Sequence, residues 1–182
     1  YDKKIIEKYN LTGPVLLFVG RLAEQKGVQY ILKAMPEIIK KFQKVTLLVI
    51  GTGTAEEELK QITKDMDLTK NVIFVGALPN TELPKYYAAA DIFIAPSTDP
   101  EGLGLTLVEA ALSGCIPVGT DIGGISDIIK DKKTGFLIKE RSAHRVRNHK
   151  AGPLFLVLRL KQLKSPQKPF NATIQSTFNH LT

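Results

Sequence analysis

Two stretches of this chain hold residue types that can do chemistry at a useful spacing. The first is Phe18-Val19-Gly20-Arg21-Leu22-Ala23-Glu24-Gln25-Lys26-Gly27, with two cations five residues apart behind an apolar run. Gly20 permits close approach of backbone to a ligand. Arg21 can fork onto phosphate oxygens, and Lys26 can set a point charge beside them. Read alone, the segment serves equally well as a solvated loop with ordinary surface cations. The second is Pro96-Ser97-Thr98-Asp99-Pro100-Glu101-Gly102-Leu103-Gly104-Leu105-Thr106-Leu107-Val108-Glu109-Ala110, where two glutamates eight apart flank a glycine pair at a helix start. The free N–H groups and partial positive charge of a helix N-terminus suit an anion. Glu101 lies ahead of the helix and can accept hydrogen bonds from hydroxyls. Glu109 lies about one turn in and can accept two hydroxyls of a ribose. The plain alternatives are helix-dipole compensation for Glu101 and a solvated helical glutamate for Glu109.

Two further loops say less. Ile50-Gly51-Thr52-Gly53-Thr54 is a glycine pair between a strand and a helix, short of the three-glycine dinucleotide fingerprint. It fits close approach to a ligand or to a neighbouring loop, and a tight turn without ligand is the better reading. Phe74-Val75-Gly76-Ala77-Leu78-Pro79 can hold a flat base through backbone groups and apolar contact, or be a simple connection. Asp65-Met66-Asp67 has a metal-binding carboxylate spacing but falls at a helix end, and it reads as a solvated terminus. Cys115 enters an apolar run and reads as a small buried hydrophobe rather than a nucleophile. His144, His149 and His180 have no carboxylate at ligand spacing and receive no catalytic role. No metal site is assigned.

The elements that must position these loops alternate. Continuous apolar runs predict strands at Val15–Val19, Val45–Ile50, Val72–Val75, Ile92–Ala95, Ile116–Gly119 and Phe136–Ile138, each covered on both faces. Helical patterns lie between them, at Val28–Phe42, Ala55–Met66, Leu83–Ala90, Leu105–Ser113 and Ile125–Lys130. Asn80 or Thr81 is expected to cap the third, with Pro84 tolerated in its first turn. Pro36 is expected to kink the first or mark its restart. The alternation predicts an α/β fold with a doubly wound parallel sheet, Rossmann-like, in which ligands bind beyond the carboxyl ends of the strands.

Charge separates body from tail. Residues 1–140 hold 17 basic and 18 acidic residues, whereas residues 141–182 hold eight basic and no acidic ones. The net charge of +7 therefore belongs to the tail and does not speak to the body's ligand. The periodicity ends with Glu140, which divides the chain into a domain at 1–140 and a basic, poorly structured tail at 141–182. The tail is compatible with peripheral contact to anionic lipid, but it has no amphipathic stripe or interleaved aromatics, so no specific nucleic-acid partner is expected. Asn171-Ala172-Thr173 is a glycosylation sequon with nothing else to suggest secretion. A single cysteine permits no internal disulfide, which fits a reducing, cytoplasmic setting. Tyr1 is read as a cut inside a longer protein.

Taken together, Gly20-Arg21 with Lys26-Gly27, Glu101 and Glu109 eight apart, Gly114 ahead of Pro117-Val118, Gly123-Gly124, and Thr134-Gly135-Phe136 resemble the donor domain of the glycogen synthase-like glycosyltransferases, family four. The match in order and spacing runs over roughly residues 13 to 139. The resemblance implies one of two facing Rossmann-like halves. It also implies sugar transfer from a nucleotide diphosphate sugar to an acceptor hydroxyl with retention, without an essential metal or other cofactor. By resemblance, Arg21 and Lys26 take the diphosphate and Glu101 the donor-sugar hydroxyls, and these three are the expected catalytic residues. Glu109 takes the ribose. Gly20, Gly51, Gly76, Leu78, Gly102, Leu103, Gly104, Leu105 and Thr106 line the nucleotide-sugar pocket. The family's acceptor-binding domain should precede this one and is absent from the chain, and the pattern from Arg141 onward departs from the family. The alternative is a nucleotide-sugar-binding fragment that cannot turn over alone.

Overall fold

In the computed structural model, the described residues are 2–99 and 104–138. The tail and the segment 100–103, with Glu101, Gly102 and Leu103, lie outside them. Six strands form one all-parallel sheet in the order β3-β2-β1-β4-β5-β6. They are β1 (Val15–Val19), β2 (Thr46–Ile50), β3 (Val72–Gly76), β4 (Ile92–Ala95), β5 (Ile116–Thr120) and β6 (Phe136–Ile138). The helices are α1 (Lys3–Lys8), α2 (Val28–Lys41), α3 (Glu56–Asp65), α4 (Leu83–Ala89), α5 (Leu105–Leu112) and α6 (Ile125–Ile128). A single 3-10 turn, Glu24–Lys26, joins β1 to α2.

The strands are apolar along their length because each has two faces to bury. On β1, Leu16 and Phe18 join one core with α2 and α3, while Val15, Leu17 and Val19 join another with α1, α4, α5 and α6. Alternating residues of one strand thus feed two separate cores, and the sheet is the middle of three layers. α2 contributes Val28, Ile31, Leu32, Met35 and Ile38, a stripe at helical spacing that is almost wholly buried.

Local structure answers one part of the Pro36 expectation, corrects the α4 cap and adds one helix. α2 runs unbroken from Val28 to Lys41 through Pro36, with no restart. Packing of the stripe on both sides of the proline outweighs one lost backbone bond. At the start of α4, neither Asn80 nor Thr81 caps. Glu82 occupies that position without a side-chain cap bond, and backbone turns from Glu82 N to Pro79 O and Leu83 N to Asn80 O do the work. Pro84 does sit in the first turn. Finally, a short helix, α1, precedes β1. The Asp2 carboxylate accepts from Lys4 N and Ile5 N at 3.0 and 3.2 Å and so caps it. α1 docks on α4 through Tyr9, whose hydroxyl lies 3.2 Å from that of Tyr86. The Asp91 carboxylate accepts from Val15 N at 2.8 Å and ties the entry of β4 to that of β1.

Cys115 is fully buried, and its thiol donates to the Tyr87 carbonyl at 3.1 Å. Burial, and secondarily the Asp91 charge, push its pKa up from 9.0 to about 12. A raised folded-state value makes the neutral thiol a stabilising form. That contribution is complete below the ordinary value and fades as pH climbs through the folded one. Denaturant midpoints of the wild type should therefore fall as pH rises from about 9 to about 12, and the Cys115→Ala variant should fall less steeply over the same window. Parallel curves for the two would rule out Cys115 as a source of the loss.

Candidate functional site

The strand order reverses between β1 and β4. β1 hands on to β2 on one side, while β4 continues to β5 and β6 on the other, which makes the carboxyl ends of these two strands the topological switch point of the sheet. The β1 loop carries Arg21 and Lys26, and the β4 loop leads into α5. Arg21 is exposed and Lys26 half-buried.

The β1 loop is held from both sides by backbone. Gly27 has φ +75°, and a Cβ there would lie 2.0 Å from the Pro96 carbonyl oxygen at the end of β4. Beside it, Thr98 N donates to the Gln25 carbonyl at 2.8 Å. On the opposite side Gly51 has φ +128°, and a Cβ would fall 1.9 Å from the Gly20 carbonyl. Leu22 N donates to Thr52 O, and Ala55 N to Leu22 O, each at 2.9 Å. The close approach that the Gly51-Thr52-Gly53 pair permits is thus an approach to the neighbouring loop. The β4 loop is in turn joined to β5, whose Thr120 hydroxyl donates to the Ser97 carbonyl at 2.6 Å.

The other expected site residues fall as follows. Gly20 is the first residue beyond β1, and its N–H donates to the Ile50 carbonyl at 3.0 Å. Gly76 ends β3 with φ +84° in open space, and its carbonyl accepts from Gly51 N at 2.9 Å. Leu78 is half-buried against the core of α1, α4 and α5. Gly104, with φ +53°, is the N-cap of α5. Leu105 follows it and is 65% exposed. Thr106 is half-buried, and Glu109 is exposed one turn along. Glu109 has a partner that the sequence reading missed. The hydroxyl of Tyr87, on α4, donates to its Oε2 at 3.0 Å. Burial, then the Glu109 carboxylate, raise the Tyr87 pKa. No spacing rule announces this contact, since a tyrosine in an apolar helix reads as core. Asp65 ends α3 and accepts from Gln61 at 2.7 Å, as a solvated helix end does. Among the described residues no group of three or more His, Cys, Asp or Glu is placed to hold a metal.

A doubly wound parallel sheet with a basic loop and a helix N-terminus at its switch point defines a Rossmann-like domain of the kind that binds phosphorylated ligands. The chain belongs to the glycosyl transferases group 1 family, whose profile matches residues 2–149. Its fold is that of the C-terminal domain of these enzymes. The C-terminal domain of a glycosyl transferase group 1 family protein from Francisella tularensis superposes with a TM-score of 0.77 at 26% identity, covering 98% of this chain and 93% of that one. The pneumococcal O-GlcNAc transferase, solved with UDP and GlcNAc, has a TM-score of 0.77 at 26% identity over 88% of this chain and 31% of its own. In sequence, the chain is 32% identical over 139 residues to a GDP-mannose-dependent alpha-(1-6)-phosphatidylinositol monomannoside mannosyltransferase of Mycolicibacterium smegmatis. That match takes in 72% of this chain and 36% of the relative, so the chain spans about a third of such enzymes' length.

Gly51 and Gly76 separate two reasons for a glycine. Gly51→Ala meets both a forbidden backbone angle and a carbonyl, so it should cost about 3 kcal/mol or more. Gly76→Ala meets only the angle and should cost about 1–2 kcal/mol. Urea unfolding of the two variants measures this, and equal losses would contradict the packing role of Gly51.

Proposed function

We propose that this chain is the donor half of a retaining glycosyltransferase. It would bind a nucleotide diphosphate sugar and stabilise the departing nucleotide diphosphate, while an acceptor hydroxyl attacks from the face the phosphate leaves. The observation that carries the reading is the pinned loop after β1. It carries Arg21 and Lys26 at the β1/β4 switch point in a chain whose family transfers sugars. Fixed cations there meet charge that develops on the leaving group, without reorganisation at the moment of reaction. In this reading the cations do that work without a metal. Glu101 holds donor-sugar hydroxyls, and Glu109 holds the ribose. Backbone groups of 102–105, with Gly104 as the cap of α5, face sugar and phosphate. Gly76 and Leu78 flank the base. Front-face attack gives the two glutamates binding roles, unlike the acid and nucleophile of a retaining hydrolase. UDP in the pneumococcal relative supports a nucleoside diphosphate as the core of the ligand.

A second reading is favoured by length. Because the chain spans 36% of its mannosyltransferase relative, the acceptor side would come from another domain, and the chain alone would bind without turning over.

Calorimetric titration with UDP, ADP and GDP, and with their glucose conjugates, tests the shared core of both readings. Wild type should bind one of the three diphosphates saturably, with affinity unaffected by a chelator. An Arg21→Ala/Lys26→Ala double variant should bind on the order of 100-fold more weakly, from two lost charged hydrogen bonds. No binding at millimolar concentration would remove the donor site. Turnover of a glucose conjugate by the chain alone would decide against the second reading.

A further inference from the structure

Glu109 is exposed, yet it is not left to sample its rotamers. Its Oε2 accepts from the Tyr87 hydroxyl at 3.0 Å, across 22 residues of sequence and from a different helix. Tyr87 is only 1% exposed. Its ring stands edge-on to Phe93, with centroids 6.0 Å apart and planes at 64°, and its carbonyl accepts the Cys115 thiol. Ring and backbone are therefore both fixed, and the hydroxyl reaches the boundary of the core directly beneath Glu109. Burial keeps that hydroxyl protonated, so it stays a donor. An ionised carboxylate offers about four acceptor positions, and the tyrosine takes one, so capacity for two more hydroxyls remains. A free glutamate would lose side-chain freedom on binding, whereas one already held has less to lose.

We propose that Tyr87 is a positioning residue for the ribose: from its fixed ring it sets the Glu109 carboxylate to accept the two vicinal hydroxyls of the nucleoside. The proposal rests on the assignment of the ribose to Glu109 in the donor-site reading. Tyr87 touches neither substrate nor reacting atoms in this scheme and acts through Glu109 alone. A bond that merely joined α4 to α5 would affect melting, but it would not discriminate between a ribose and a deoxyribose. That discrimination is the signature to measure.

The experiment titrates the 182-residue chain with UDP, ADP and GDP and with the 2′-deoxy form of each. The ratio of deoxy to ribo dissociation constants is read for the base that binds. Wild type should favour the ribo form by on the order of 10-fold, the worth of one hydrogen bond to a charged group. Tyr87→Phe keeps the ring and removes only the donor. It should weaken the ribo form and leave the deoxy form within about twofold, so that most of the preference is lost. Glu109→Asp, a surface change that withdraws the carboxylate from the tyrosine, should do the same without burdening the core. Retention of the wild-type preference by Tyr87→Phe, or equal weakening of both ligands in it, would overturn the role of Tyr87 while leaving the donor site standing, whereas retention by Glu109→Asp would overturn the ribose assignment and the role of Tyr87 with it. Failure of the wild type to bind any of the diphosphates would remove the donor site, and this inference with it.

Discussion

The arrangement depends on how closely the loop after β1 lies against the backbone on either side. β1 and β4 are neighbours in the sheet but about 75 residues apart in the chain, so nothing local joins their loops. The join is made at Gly27, where any side chain would overlap the Pro96 carbonyl, and at the bond from Thr98 N to Gln25 O. On the far side Gly51 lies under the Gly20 carbonyl in the same way. A loop clamped between two carbonyls has few conformations to lose. The backbone that carries Arg21 and Lys26 is thus held in place, and in the proposed donor reading that would lower the entropy cost of binding.

Most of the sheet was legible in the sequence because the physics that writes it is simple. A strand buried on both faces must be apolar at every position, and the runs at Val15–Val19, Ile92–Ala95 and Phe136–Ile138 coincide with β1, β4 and β6 residue for residue. The other strands and the helices shift by a residue or so at their ends, where fraying and caps decide the boundary. Helix α1 was missed because six residues with two isoleucines make too short a pattern; tertiary docking on α4 through Tyr9 and Tyr86 holds it in place. The cap expected of Asn80 or Thr81 was a propensity argument, and the backbone turn before α4 satisfied the same groups by another route.

The site was legible in a different way. Motif order marked the loops after β1, β2, β3 and β4 as a candidate site, and the parallel topology puts all four at the carboxyl end of the sheet. What spacing could not convey was which glycine is required by close packing and which by its backbone angle alone. Gly51 and Gly76 look alike in sequence, yet one is crowded by a carbonyl and the other faces open space. Nor could spacing reveal Tyr87. Its partner is 22 residues away on another helix, and its chemistry depends on burial of the whole side chain with the hydroxyl aimed at an exposed carboxylate. Both are facts of tertiary packing, beyond the reach of periodicity.

The charge distribution bears on how an anionic donor would be held. With 17 basic and 18 acidic residues in 1–140, the body has no net positive field to draw in a diphosphate from a distance. Attraction must therefore be local, from a few groups whose geometry is fixed. In the proposed donor reading, Arg21 and Lys26 on the clamped loop would be such groups. Long-range steering would be screened by salt within about 10 Å, whereas contacts made inside a crevice are screened far less. A near-neutral domain can thus bind an anion tightly while leaving other polyanions alone. Under the proposed donor reading, selectivity would come from the placement of that one loop rather than from the sum of the charges.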